Sequence, residues 1–188
     1  MSTLNPRRSA RRPVIVLIVL AALLVLLPLA PASAADGPSR WEKAQVGLTY
    51  TVYRPSTTVG LNRSSFQLIA CGSGRDDMAM ARFGRDTGKR SITIQESQRG
   101  CLDGPDGVGP AGTFTVRGAK ATVLGSCGTQ VATCASATPA GVRRSAYTTV
   151  TLPSGGAGLG STFVELYTEG LSLPEITKVV RGLVPADD

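Results

Sequence analysis

The sequence predicts an α+β domain, an antiparallel sheet of about six to eight strands with one C-terminal amphipathic helix packed on it, preceded by a hydrophobic export helix. Three observations predict it. Most of the chain is a run of short period-two segments separated by Gly- and Pro-rich turns. Only the stretch after Gly170 has helical periodicity. The first 35 residues have the layout of an export signal.

In that signal, Arg7, Arg8, Arg11 and Arg12 precede sixteen apolar or proline residues, Val14 to Leu29. The arginines hold the amino end inside the membrane. Pro28 weakens the apolar helix just before Ala32-Ser33-Ala34, a small-x-small pattern that a signal peptidase accepts, so cleavage is expected between Ala34 and Ala35. The alternative is an uncleaved anchor over residues 13–35, since spanning a bilayer needs ~20 apolar residues. Either way the folded part lies outside the membrane, and membrane contact is confined to residues 13–35. Residues 35–46 then read as a lead-in linker, residues 47–185 as a single sheet domain and residues 186–188 as a tail.

Leu48 to Tyr53 alternates apolar and polar residues and ends at Arg54-Pro-Ser. Phe66 to Cys71 is a second strand, ended by Gly72-Ser-Gly74. Met78–Phe83 and Ser91–Ser97 flank Gly84-Arg-Asp-Thr-Gly88 as a hairpin, with Ile92 and Ile94 pointing one way and Thr93 and Gln95 the other. Residues 99–112 are a glycine-rich surface loop around Asp103-Gly-Pro-Asp106-Gly. Thr113–Val116 and Ala119–Leu124 are joined by the tight turn Arg117-Gly118. Ser145–Leu152 and Thr162–Tyr167 are strands linked by Pro153 to Gly160. The helix begins at Ser172, with Glu175 three residues on as a capping box and Leu171 against Ile176 as a hydrophobic staple. Ile176, Val179, Val180 and Leu183 form one apolar stripe, and Gly182 and Pro185 stop the helix.

Charge excludes one class of partner. The chain has 20 Lys+Arg and 13 Asp+Glu, net +7, but the four signal arginines leave with no acid, so the remainder carries 16 against 13, net +3. That is an ordinary surface with no basic stripe, so no nucleic-acid partner is expected. Arg143-Arg144 and Lys89-Arg90 read as isolated pairs at solvated turns.

The cysteines Cys71, Cys101, Cys127 and Cys134 all lie in the exported part, where an even count reads as two disulfides. Three pairings are open. The seven-residue spacing of Cys127 and Cys134 suits a local clip, which leaves Cys71 with Cys101 closing a thirty-residue loop, worth ~3–4 kcal/mol of chain entropy.

The chain has no histidine, which removes Ser-His-Asp and Cys-His catalysis and His-ligated metal. No cofactor and no metal is expected. Gly155 to Gly160 lacks the Lys-Ser/Thr of a phosphate loop and leads into a strand. Asp103 and Asp106 are two acids without the further oxygens calcium needs. The catalytic candidates that remain are strand carboxylates, Glu96 or Glu165 acting with a second acid as in a glycosidase. Aromatic residues make up only 5%, few for sugar-stacking platforms.

Four segments carry a resemblance: Tyr53-Arg-Pro-Ser, Ser91-Ile-Thr-Ile-Gln-Glu-Ser97, Thr115-Val-Arg-Gly-Ala-Lys-Ala121 and Phe163 to Leu183. Their order over residues 48–185 resembles a domain-of-unknown-function family of extracytoplasmic proteins in Gram-positive bacteria. Those domains are similar to the outer parts of anti-sigma regulators and to the lipoprotein-carrier sheet. The chain departs from that pattern with Tyr147-Thr-Thr where a tryptophan is expected, and with two added disulfides. The resemblance implies that the sheet is curved, and it implies no catalytic residues. The expectation is a secreted or envelope-tethered, non-enzymatic binding or accessory domain for a lipid, peptide or partner protein. The alternatives are a small secreted hydrolase using Glu96 or Glu165, and a purely structural envelope protein.

Overall fold

A strand gives alternate residues to two faces, so a period-two sequence is satisfied only when one face is buried differently from the other. The computed structural model describes residues 39–72, 76–85, 88–101, 103–128 and 133–187. The strands are β1 (Tyr53–Pro55), β2 (Arg63–Ile69), β3 (Met78–Gly84), β4 (Ser91–Ser97), β5 (Val108–Val116), β6 (Ala119–Ser126), β7 (Ala146–Leu152), β8 (Thr162–Glu169) and β9 (Leu183–Pro185). Seven of them form one antiparallel sheet in the order β2-β3-β4-β8-β7-β6-β5, while β1 pairs with β9 in a separate ribbon. The large sheet is thus two meanders, β2-β3-β4 and β5-β6-β7-β8, joined where β8 lies beside β4. The result is a sheet-rich α+β fold.

Register places Phe66, Ala81, Ile94, Leu166, Thr148 and Val123 in one cross-strand row. This face carries the hydrophobic core, in which Ile92, Ile94, Val164 and Leu166 are fully buried or nearly so. Three helices occur among the described residues: α1 (Arg40–Gln45), α2 (Pro139–Arg144) and α3 (Leu173–Arg181). Trp41 of α1 meets Phe66 edge-on, ring centroids 4.8 Å apart. Helix α2 lies on β6, β7 and β8, and α3 lies against α2 and β5.

Helix α3 buries Ile176, Val179 and Val180, the stripe its spacing predicts. At its start the Glu175 carboxylate accepts the Ser172 backbone N–H at 2.9 Å and the Ser172 hydroxyl at 2.6 Å, and it also pairs with Arg90 at 2.6 Å. The Ser172 hydroxyl is the main reason the Glu175 carboxyl is held below its ordinary range. Ser172→Ala is therefore expected to cost about 1 kcal/mol in urea unfolding at pH 7. It should also move the Glu175 titration, followed by carboxyl NMR, back toward the ordinary carboxylate value. An unmoved titration would mean that the Ser172 hydroxyl does not hold the carboxyl low.

Several expectations are corrected. The lead-in read as linker over residues 35–46 contains α1, whose capping box at Ser39 and Glu42 starts a helix that buries Trp41 and Ala44. Leu48 to Tyr53 is not a strand: only Tyr53–Pro55 is, and Tyr50 makes a single bridge to Gly160. Tyr50, Thr51, Val52 and Tyr53 are all buried, so the segment runs through the interior and has no solvent face to alternate with. The glycine-rich loop ends earlier than residue 112, because β5 starts at Val108. Pro110 is accommodated there by a register shift between Pro110 and Gly112 on the edge strand. The tail is not free either: Ala186 is buried and its N–H donates to the Val52 carbonyl at 2.8 Å. A single C-terminal helix was expected, and α1 and α2 are additional. The export segment, the Ala34–Ala35 cleavage pair and the anchor alternative at residues 13–35 lie outside the described residues. Among the described residues no helix is long and apolar enough to cross a membrane.

Candidate functional site

The sheet's second face is polar where it is buried. Its central row runs Gln67, Met80, Gln95, Glu165, Thr149 and Thr122, again by register. The neighbouring row on the same face places Arg82, Thr93, Tyr167, Tyr147 and Leu124 side by side. Gln95 is 7% exposed, Ser97 4% and Glu165 1%. Polar side chains at that depth are normally hydrogen-bonded.

These are only partly so. The Tyr147 hydroxyl donates to Glu165 Oε1 at 2.5 Å, and the Gln95 amide approaches Met80 Sδ at 3.7 Å. Gln95 Oε1, Ser97 Oγ and Glu165 Oε2 have no hydrogen-bond partner among the described residues. Burial raises the Glu165 carboxyl above its ordinary range, with the Tyr147 hydrogen bond acting in the opposite direction. Burial also pushes the Tyr147 and Tyr167 phenols up, with the Glu165 charge adding to it. The two rings lie tilted, 4.9 Å between centroids.

The segment after β4 crosses over this cluster. A methyl group built at Gly100 would lie 3.2 Å from the Phe163 ring and 3.9 Å from Glu165 Oε2, and one at Gly104 would lie 3.5 Å from the Tyr147 ring. Glycine lets the backbone approach so closely. The Cys71–Cys101 disulfide, Cα atoms 5.4 Å apart, ties the start of this segment to the end of β2. Beside the covered part, Arg82, Arg85, Thr93, Tyr167 and Glu169 line a cavity of about 330 Å³. Thr93 and Tyr167 are the same-face neighbours, two residues along, of Gln95 and Glu165, so the cavity lies beside the buried cluster on the same face.

The sequence-derived candidates separate in space. Glu96 and Glu165 project from opposite faces, since Gln95 is the residue paired with Glu165 and Glu96 is paired with Val164. They form no carboxylate pair. Glu96 is fully buried in the core face, where its Oε2 accepts the Tyr53 N–H at 2.9 Å. Cys127 is bonded to Cys134, Cα atoms 5.6 Å apart, against Gly109 of β5. Ser172 and Glu175 sit at the helix start, away from the polar face. Asp76 accepts the backbone N–H and hydroxyl of Thr49, both at 2.5 Å. The Gly155–Gly160 loop is tied to the chain at Thr49 and Thr51, through Gly160 N–H to Thr49 O at 2.7 Å and Gly155 N–H to Thr51 Oγ1 at 2.8 Å. Among the described residues no three acids or cysteines gather as metal ligands. Lys89 and Arg90 are not an isolated pair: with Arg63 and Arg85 they line a groove of about 570 Å³ adjoining the first cavity, and Arg90 is engaged by Glu175.

Sequence reading did not find Gln95, Ser97, Tyr147 or Tyr167 as a group. The usable signal was the outward face of Ser91–Ser97, but their meeting depends on β8 lying beside β4. The chain matches no protein-family model, no curated protein and no solved structure.

Proposed function

We propose that this chain is an exported, non-enzymatic binding domain that holds its ligand on the sheet face opposite the helices. The observation that carries this reading is that three of the five buried side-chain atoms without partners among the described residues, Gln95 Oε1, Ser97 Oγ and Glu165 Oε2, share the sheet face beside this cavity, while the other two, Glu96 Oε1 and Thr148 Oγ1, lie on the core face. A buried oxygen left unpaired costs ~1–3 kcal/mol, so a ligand that pairs with it recovers that energy on binding. The two disulfides fit an oxidising compartment outside the membrane. The resemblance to outer domains of anti-sigma regulators and lipoprotein-carrier sheets points toward binding as well. The placement of Glu96 and Glu165 on opposite faces favours binding over the hydrolase reading. The polar lining favours a polar molecule or a peptide side chain over a lipid tail.

The test is native mass spectrometry of the exported protein together with its Thr93→Trp variant. Thr93 is half-buried on the cavity wall, so the larger ring fills the space. A small adduct released on denaturation is expected for the parent and is lost in the variant, with stability changed by less than about 1 kcal/mol. Bare polypeptide for the parent in every preparation, with no shift in cavity-lining amide resonances on adding cell extract, would overturn the reading.

A further inference from the structure

The three unpartnered atoms have a chemical character that narrows the ligand. Two donors of the cluster are already used: the Tyr147 hydroxyl on Glu165 Oε1, the Gln95 amide on Met80. What remains is Gln95 Oε1, which accepts, Glu165 Oε2, which accepts when the carboxyl is ionised, and Ser97 Oγ, which accepts or donates. Gln95 and Glu165 are directly opposite across the β4–β8 pair, so their Cβ atoms are ~5 Å apart, and Ser97 is the next residue of β4 on the same face. The cluster is therefore rich in unpartnered oxygens and holds one carboxyl group. Tyr147 and Tyr167 add two aromatic faces beside it.

We infer that the inner end of this site accepts a primary ammonium group. The group brings three N–H donors in a compact arrangement to a face rich in unpartnered oxygens, and a positive charge for Glu165. A cation alongside favours the ionised form of Glu165 that burial disfavours. The neighbouring tyrosine rings attract the same charge. A guanidinium presents five donors in a rigid plane and meets carboxylates in a bidentate fork. Here one Glu165 oxygen is already taken by Tyr147, which leaves no carboxylate fork. The rest of the molecule lies toward the cavity lined by Thr93 and Tyr167, whose charged lining residues are Arg82, Arg85 and Glu169. This inference rests on the placement of the ligand on this face and adds its chemistry.

The experiment titrates the folded protein with n-butylamine, 1-butanol and butyltrimethylammonium at equal ionic strength, following amide resonances of Thr93, Gln95, Glu165 and Tyr167. n-Butylamine is expected to bind at least about tenfold more tightly than the other two, because only it supplies charged N–H donors. Glu165→Gln should weaken n-butylamine by about tenfold and leave 1-butanol unchanged. Ser97→Ala, a smaller change to the fold, should weaken n-butylamine severalfold. Equal binding of amine and alcohol at these residues would overturn the ammonium assignment while leaving the site in place. No perturbation by any of the three would overturn both. Nα-acetyl-lysine methylamide and phosphatidylethanolamine vesicles then separate the two sources of the group, a peptide side chain and a lipid headgroup, and tight binding of either at these residues supports the assignment.

Discussion

Gly170→Ala is expected to destabilise the fold by about 2–5 kcal/mol, adding the ~1–2 kcal/mol cost of a left-handed residue to an overpacking cost of ~1–3 kcal/mol. Gly170 follows β8 with φ +71°, and its N–H donates to the Arg143 carbonyl at 2.7 Å. A Cβ there would press into the Lys89 carbonyl oxygen and lie 2.8 Å from Arg90 Cγ. The first obstacle is backbone, which cannot swing aside as a side chain can. Relief requires moving the β3–β4 hairpin end away from the β8–α3 junction. Gly118→Ala is the matched control, since Gly118 has φ +77° in the Arg117-Gly118 turn but open space around it. Denaturant unfolding should separate the two variants by about 1–3 kcal/mol, the overpacking cost alone. Equal losses would show that the close approach at Gly170 is not maintained in solution.

Glu96 controls the second large effect, which is pH-dependent. The side chain is fully buried, and burial raises its carboxyl well above the usual range, with the Tyr53 N–H acting the other way. In the unfolded chain it titrates near ~4.3. Above that value the unfolded state gives up the proton and the folded state keeps it, so the folded state binds more protons and stability falls as pH rises. The fall amounts to at most ~1.4 kcal/mol per pH unit and ends at the folded-state pKa. Glu165, also raised, has the same sign. Glu175, held low, has the opposite sign: its contribution is present above the ordinary carboxylate range and is lost as pH falls through its folded value. The parent is therefore expected to be most stable in mild acid. Glu96→Gln keeps an acceptor for Tyr53 and cannot ionise, so it should exceed the parent in stability at pH 8 and flatten the slope by up to one proton. Parallel stability curves for parent and variant from pH 4 to 8 would show that Glu96 is not held neutral.

What was legible in the sequence follows the range of the interactions involved. The hairpin of β3 and β4, the Arg117-Gly118 turn, the capped helix and its stripe all depend on residues a few positions apart. At Arg117 and Gly118 both φ values are positive, as a two-residue hairpin turn demands. The Ser39-x-x-Glu42 capping box is equally local, but the residues around it are polar and carry no apolar stripe to mark a helix. The segment from Leu48 to Tyr53 misled for another reason. Alternation signals a strand only if one face meets solvent, and here all of Tyr50 to Tyr53 is enclosed by the β1–β9 ribbon, Gly160 and the Glu96 side chain.

The candidate site lay beyond the reach of sequence because it is made by pairing between distant strands. The amino-acid order by itself determined the sheet-rich class, the two-faced character of Ser91–Ser97 and the helix after Ser172, since each is set by a local period or a cap. Only tertiary structure decided that Glu96 would enter the core and that Glu165 would meet Gln95 and Tyr147 beneath Gly100 and Gly104. The physical reason is register. Two glutamates on adjacent paired strands share a face or oppose each other according to a one-residue offset in pairing, and that offset is chosen by burial of the whole sheet, not by either strand alone.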